Sequence, residues 1–116
     1  MYQNIELITS ENKNYRKVIH TTPQQQLVVM SLNYKEEIPM EKHLDTTQFF
    51  RIESGRGYAI VGHSKYRLEP GISLMVPPGK KHYIKQLGYD PLKFYTIYSP
   101  PHHPKNKVDK RQPSQD

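Results

Sequence analysis

Glu41, His43 and Gln48 lie within eight residues of one another in the stretch "EEIPMEKHLDTTQFF", and His82 stands far downstream in "PPGKKHYIKQ". Each side chain carries a lone pair, and Gln48 runs straight into an apolar pair, Phe49 and Phe50. Side chains two apart on an extended segment share a face, so Glu41 pairs with His43 if that segment is extended. Gln48 likewise shares a face with Phe50 and Ile52, and the opposite set, Phe49, Arg51 and Glu53, carries the charges and should look outward. Gln48 then points inward, where a buried amide needs a partner. His82 shares parity with Ile84 and can also face inward. A hairpin bringing His82 against Glu41 and His43 would assemble two imidazoles, one carboxylate and one amide. The chain has no cysteine, so any metal must rest on nitrogen and oxygen. That donor set suits one divalent ion of the zinc, manganese, iron, cobalt or nickel group. The plainer alternative is four hydrogen-bonded interior residues with no ion between them.

The elements that must position these groups read as strands. "RKVIH" (16–20), "QLVVMSLNY" (26–34), "QFFRIES" (48–54), "GYAIVGH" (57–63), "SKYRLE" (64–69), "ISLMV" (72–76), "KHYIKQL" (81–87) and "LKFYTIY" (92–98) are rich in β-branched and aromatic residues. Between them stand "SGRG", "EPG", "PPGK" and "GYDP", with the Gly, Pro, Asp and Ser that punctuate hairpins. Gly55, Gly57, Gly71 and Gly79 are expected to form turns. Helical periodicity is nearly absent, and many short strands at regular spacing predict an all-β sandwich or barrel. From Ser99 onward, "SPPHHPKNK" is proline-rich and then charged, so residues 101–116 are expected to leave the sheet as a mobile tail beyond a domain spanning 1–100.

Composition bounds the rest. The 116 residues suffice for one core, and only 34% of them are hydrophobic, so nine tyrosines and three phenylalanines must supply much of the buried area. The formal charge is +6. The segment 105–116 holds four basic and two acidic residues, leaving 13 basic against 9 acidic elsewhere, scattered along the chain. Such a distribution argues against a nucleic-acid partner. No apolar run reaches the ~18 residues of a membrane helix, and the N-terminus lacks the basic-then-apolar pattern of a signal peptide; a soluble, cytoplasmic protein is the expectation.

The spacing of the chemical residues resembles the two motifs of the cupin superfamily. The first, G-x5-H-x-H-x4-E-x6-G, is matched by Lys35, Glu41, His43, Gln48 and Gly55, with Lys35 at the opening glycine, Glu41 at the first histidine and Gln48 at the glutamate. The second, G-x5-P-x-G-x2-H-x3-N, is matched by Gly71, Pro77, Gly79, His82 and Gln86, with Gln86 at the asparagine. The resemblance covers about Leu27 to Tyr98 and implies a double-stranded β-helix, or jelly-roll, barrel. It also implies one metal held by Glu41, His43, Gln48 and His82, and a homodimer. The wording around "QFFRIESG" and "YTIYSPPHHP" is similar to small single-domain cupins labelled mannose-6-phosphate isomerase-like.

Three activities are compatible with that resemblance: binding of a small polar or sugar-like ligand in the barrel cavity, metal-dependent sugar-phosphate isomerisation, and Fe(II)-type oxygenation. Isomerisation requires a base placed off the metal, and no residue stands out for it. Lys80 shares His82's parity but would need a depressed pKa, and Arg51 points the wrong way for a substrate phosphate. His20 and His63 lack partners in the pattern and read as surface residues. His102 and His103, in the proline-rich tail, read as incidental, and Tyr58, Tyr83, Tyr95 and Tyr98 as packing.

Overall fold

A computed structural model describes residues 1–114; the last two positions of the expected tail, Gln115 and Asp116, lie outside the described residues. A short helix, α1 (Ile5–Glu11), is followed by ten strands: β1 (Arg16–Thr21), β2 (Gln26–Leu32), β3 (Glu37–Glu41), β4 (Thr47–Ser54), β5 (Arg56–Val61), β6 (Ser64–Leu68), β7 (Ser73–Val76), β8 (His82–Leu87), β9 (Leu92–Ser99) and β10 (Val108–Asp109). They form a six-stranded sheet in the order β10-β1-β2-β9-β4-β7 and a four-stranded sheet in the order β3-β8-β5-β6. Every pairing is antiparallel. The all-β expectation holds, and no helix among the described residues is long and apolar enough to cross a membrane.

Alternation places the core between the two sheets. In β4, Gln48, Phe50 and Ile52 are buried while Phe49, Arg51 and Glu53 take the other face, as the period-2 pattern requires. Phe50, Ile52, Phe94, Leu92, Met30 and Leu32 from one sheet meet Ile38, Ala59, Leu68 and Ile84 from the other in a single cluster. Burying such side chains is worth about 1.5–3 kcal/mol each, which is how a chain of modest hydrophobicity closes its barrel.

Three elements depart from the sequence expectation. The helix α1 is seven residues long, too short to display a 3.6-residue period; its only local signals are the Asn4 cap, whose Oδ1 accepts the Leu7 N–H at 3.0 Å, and Glu6 in the first turn. It packs over β9, β4 and β2, which explains why Val29 and Ser31, on the outer face of β2, are buried. Strand β3 contains Pro39, which cannot donate to a ladder; it survives as an edge strand paired only with β8, with a register shift between Ile38 and Glu41.

The third departure is the C-terminal segment. Instead of leaving the sheet, the chain doubles back. Val108 and Asp109 pair with Lys17 and Arg16 of β1, and Asp109 accepts a 2.6 Å charged hydrogen bond from Arg16. Gln112 Oε1 accepts the Glu37 N–H at 2.7 Å. Prolines in the segment marked an exit from β9, but the partners that recapture the chain lie some 75–93 residues earlier.

Two glycines show different demands. Gly55 adopts φ +85° at the β4–β5 turn, and a Cβ there would lie 2.2 Å from the Pro91 carbonyl oxygen. Gly57 is a strand residue of β5 rather than a turn former: its φ is ordinary, but a Cβ would meet the Lys85 carbonyl oxygen at 2.3 Å, so close backbone approach fixes the residue. Lys35, at the opening glycine position of the first motif, itself adopts φ +70°. Its N–H donates to Gln86 Oε1 at 3.2 Å, while Gln86 Nε2 donates to the Gly88 and Asp90 carbonyls at 2.8 and 2.9 Å. The buried Gln86 amide therefore ties the β2–β3 turn to the β8–β9 turn. Replacing Gln86 with Leu strands one N–H and two carbonyls, and unfolding by urea should show a loss of about 2–4 kcal/mol.

Candidate metal centre

The site lies between the sheets, and main-chain pairing builds it. Glu41 ends β3 and His82 opens β8, and the two are register partners. The Gly79 N–H donates to the His43 carbonyl at 2.7 Å, joining the turn that carries His43 to the turn that precedes His82. The two distant hairpins are thus fastened through their backbones, and the side chains follow.

Glu41 Oε1 lies 3.4 Å from His43 Nε2 and 3.4 Å from His82 Nε2. One ligand atom from each of the three residues lies within 4.8 Å of the other two, a grouping that could hold a metal ion. Two donors about 2.1 Å from a shared ion sit roughly 3–3.5 Å apart, so the observed spacing fits. Both histidines are buried, His82 to 1% exposure, whereas the Glu41 side chain retains 34%. His82 Nδ1 is 3.3 Å from the Lys80 carbonyl oxygen. A carbonyl only accepts, so this contact puts a proton on Nδ1 and leaves Nε2 as the nitrogen that faces Glu41.

Burial by itself would raise the Glu41 carboxyl, but the facing His43 and His82 rings outweigh it and hold the carboxyl well below the usual carboxylate range. The group is therefore an anion at neutral pH. Even so, the pairing does not complete hydrogen bonds: among the described residues, His43 Nε2, His82 Nε2 and Gln48 Oε1 are buried side-chain atoms without a hydrogen-bond partner. At 3.4 Å the carboxylate attracts the rings without bonding well to either. Gln48 faces inward from β4 and is 1% exposed. Its Nε2 donates to Thr96 Oγ1 at 3.0 Å, so the amide is oriented with its oxygen unpaired. Unpaired buried side-chain atoms are uncommon, and a cation held by the Glu41–His43–His82 grouping would satisfy the two imidazole nitrogens.

The structure adds residues that the motif spacing did not supply. The buried Tyr98 ring meets His43 edge-on at 5.8 Å; burial, then the Glu41 charge, pushes its hydroxyl pKa up, and it remains a neutral phenol. His102 lies against His43 with ring centroids 4.1 Å apart and is stacked on Tyr98 at 5.5 Å. His103 Nε2 is 3.3 Å from the Tyr98 hydroxyl. Their backbone is held by Gln26, fully buried at the start of β2: Gln26 Oε1 accepts the N–H groups of His102 and His103 at 3.1 and 2.9 Å, and Nε2 donates to the His103 carbonyl at 2.7 Å. The only sequence signal for this was the inward parity of Gln26 with Val28 and Met30. His20 and His63 are exposed, as expected. Arg51 is paired with Glu53 at 3.3 Å.

Burial, reinforced by the Arg16 charge and His102, pushes His103 down to about 4. The unfolded chain, with histidine near 6.5, binds that proton first. Stability is therefore intact above about pH 6.5 and is lost progressively toward pH 4. The melting temperature of the metal-free protein should fall over this window, and His103→Gln should flatten the dependence.

Comparisons with known proteins place this architecture. The chain is 44% identical over 114 residues to an uncharacterized protein of Acanthamoeba polyphaga mimivirus, covering 95% of this chain and 71% of that one. It is 38% identical over 107 residues to YrkC of Bacillus subtilis, covering 87% of this chain and 58% of the relative. Among solved structures, a Bacillus halodurans protein superposes with a TM-score of 0.93 at 32% identity, over 96% of this chain and 89% of that one. KdgF from Halomonas superposes with a TM-score of 0.71 at 22% identity, over 75% and 78% of the two chains, and shares the fold. Residues 28–98 match the cupin domain model, a span that runs from β2 to β9 and contains Glu41, His43 and His82: the chain belongs to the cupin family.

Proposed function

We propose that this protein binds one divalent metal ion through Glu41, His43, His82 and the amide oxygen of Gln48, and offers that ion to a small polar ligand entering beside Glu41. The observation that carries the reading is the pair of buried, unpartnered atoms His43 Nε2 and His82 Nε2, facing a carboxylate kept ionised by its neighbours, with the unpaired Gln48 Oε1 in the same interior. Leaving them unpaired costs about 1–3 kcal/mol each, and coordination removes that cost.

The ion supplies positive charge with which an anionic or hydroxylated ligand can pair. This chain's residues do the remaining work. His82 is held in one tautomer by Lys80, Thr96 orients the Gln48 amide, and Tyr98 closes the interior side as a neutral phenol. Clefts of about 370, 390 and 230 Å³ lie beside α1, on the outer face of β5 and β6, and near Met1 and β2; the part-exposed Glu41 side chain is where a ligand would reach the ion. The site's two histidines and one carboxylate also match the donor set of Fe(II)-type oxygenases; oxygen uptake by the iron-loaded protein would distinguish that reading. Sugar-phosphate isomerisation would need an inward cation for the phosphate, and Arg51 is engaged with Glu53. A homodimer is the expected assembly of this fold, and light scattering of the purified chain tests it.

The metal reading is tested by stripping the protein with a chelator and adding Zn²⁺, Mn²⁺, Co²⁺, Ni²⁺ or Fe²⁺ in turn, followed by desalting and elemental analysis. At least one ion should be retained at about one equivalent per chain and raise the melting temperature. Retention of none of them at stoichiometry would leave a barrel without a metal centre.

A further inference from the structure

We infer that His102, outside both sequence motifs, is a ligand-positioning residue whose imidazole hydrogen-bonds a small anion seated on the metal centre. The inference rests on the metal reading above and extends it to a residue from the C-terminal segment. His102 is exposed, yet it is not loosely placed. Its ring is stacked on Tyr98 at 24° between planes and tilted against His43 at 4.1 Å. Its backbone is gripped by the wholly buried Gln26 amide, which spends every bond described for its oxygen on the His102 and His103 N–H groups. The Pro100 carbonyl, two residues earlier, accepts the Thr46 hydroxyl at 3.4 Å. A buried amide and a stacked tyrosine are therefore committed to holding one exposed residue's imidazole against His43.

What that imidazole does follows from what surrounds it. It stands outside the Glu41–His43–His82 grouping, so it is a neighbour of the centre rather than one of the three clustered donors. None of the hydrogen bonds found among the described residues uses its ring nitrogens, in contrast to His103, which meets Tyr98. A fixed ring with free nitrogens, beside a ligand histidine and open to solvent, is placed to meet a molecule that enters from solvent and binds the ion. A ring N–H favours an anionic or carbonyl-type acceptor.

The test uses the full chain loaded with Co²⁺, with azide as the probe anion and the visible absorption of the cobalt as the readout. Azide should bind wild type and bind His102→Ala about 10-fold more weakly, the size expected for one hydrogen bond to a charged partner. His102→Gln, which keeps a donor, should recover part of that loss, and Co²⁺ affinity should change less than about threefold in both variants. A merely structural role for His102 would move the melting temperature but not azide affinity. Equal azide affinity in wild type and His102→Ala overturns the inference while leaving the metal centre intact. Loss of Co²⁺ itself in His102→Ala also overturns it, because His102 would then be a ligand. Failure of wild type to take up Co²⁺ is a different result, which removes the metal reading and this inference together.

Discussion

Gln48→Glu is expected to make the metal-free protein less stable and the metal-bound protein tighter. Gln48 is 1% exposed, and its Nε2 donates to Thr96. A carboxylate in its place would be buried with Glu41, already an anion, in the same interior. Desolvation and like charge both raise the new group's pKa, and the cost of holding it ionised at pH 7 should lower metal-free stability by about 2–4 kcal/mol. The sign with pH follows. A carboxyl whose folded pKa is raised is bound more tightly to its proton in the native state, so the penalty is absent below about pH 4 and grows as pH rises above the unfolded value of about 4.3. With the ion present the balance reverses, because an anionic oxygen binds a divalent cation better than an amide oxygen, and affinity should rise at least ~10-fold. Urea unfolding with and without metal, at pH 5 and pH 8, reads both halves. A variant whose stability relative to wild type is the same at the two pH values and that binds metal no better would show that Gln48 Oε1 does not face the ion.

His82→Ala is expected to have the largest effect on metal binding. The ring is 1% exposed, its tautomer is fixed by Lys80, and its free nitrogen is 3.4 Å from the Glu41 carboxylate. Loss of partners that only orient a ligand costs 10–100-fold in affinity; loss of a ligand itself should exceed ~100-fold. Calorimetric titration of the stripped protein measures it. The barrel should remain folded, because β8 keeps its pairing to β3 and β5 through the backbone, so circular dichroism unchanged beside lost binding is the diagnostic combination. Retained stoichiometric binding would exclude His82 from the centre.

Much of this was legible in the chain itself, for definite reasons. The inward set Gln48, Phe50, Ile52 could be read from charge alternation, since Arg51 and Glu53 on the same strand cannot share the core. The encounter of His82 with Glu41 and His43 could be read because the two motifs fix turns as well as ligands. What escaped was long-range or short. Helix α1 is less than two full turns and has one capping bond. Strand β3 hid behind Pro39. The docking of residues 100–112 depends on Gln26, Arg16, Glu36 and Glu37, and nothing local to "PPHHPKNK" announces partners that distant. His102 looked incidental because sequence places it in a segment whose direction the prolines alone do not determine.

The bond between the Gly79 N–H and the His43 carbonyl has a practical meaning for the empty and loaded forms. In small metal-dependent domains the ion is the clasp, and chelation unravels them. Here the clasp is peptide, and cation removal should leave the coordinating groups standing in nearly their working positions. Loading and stripping should be repeatable on one sample without refolding.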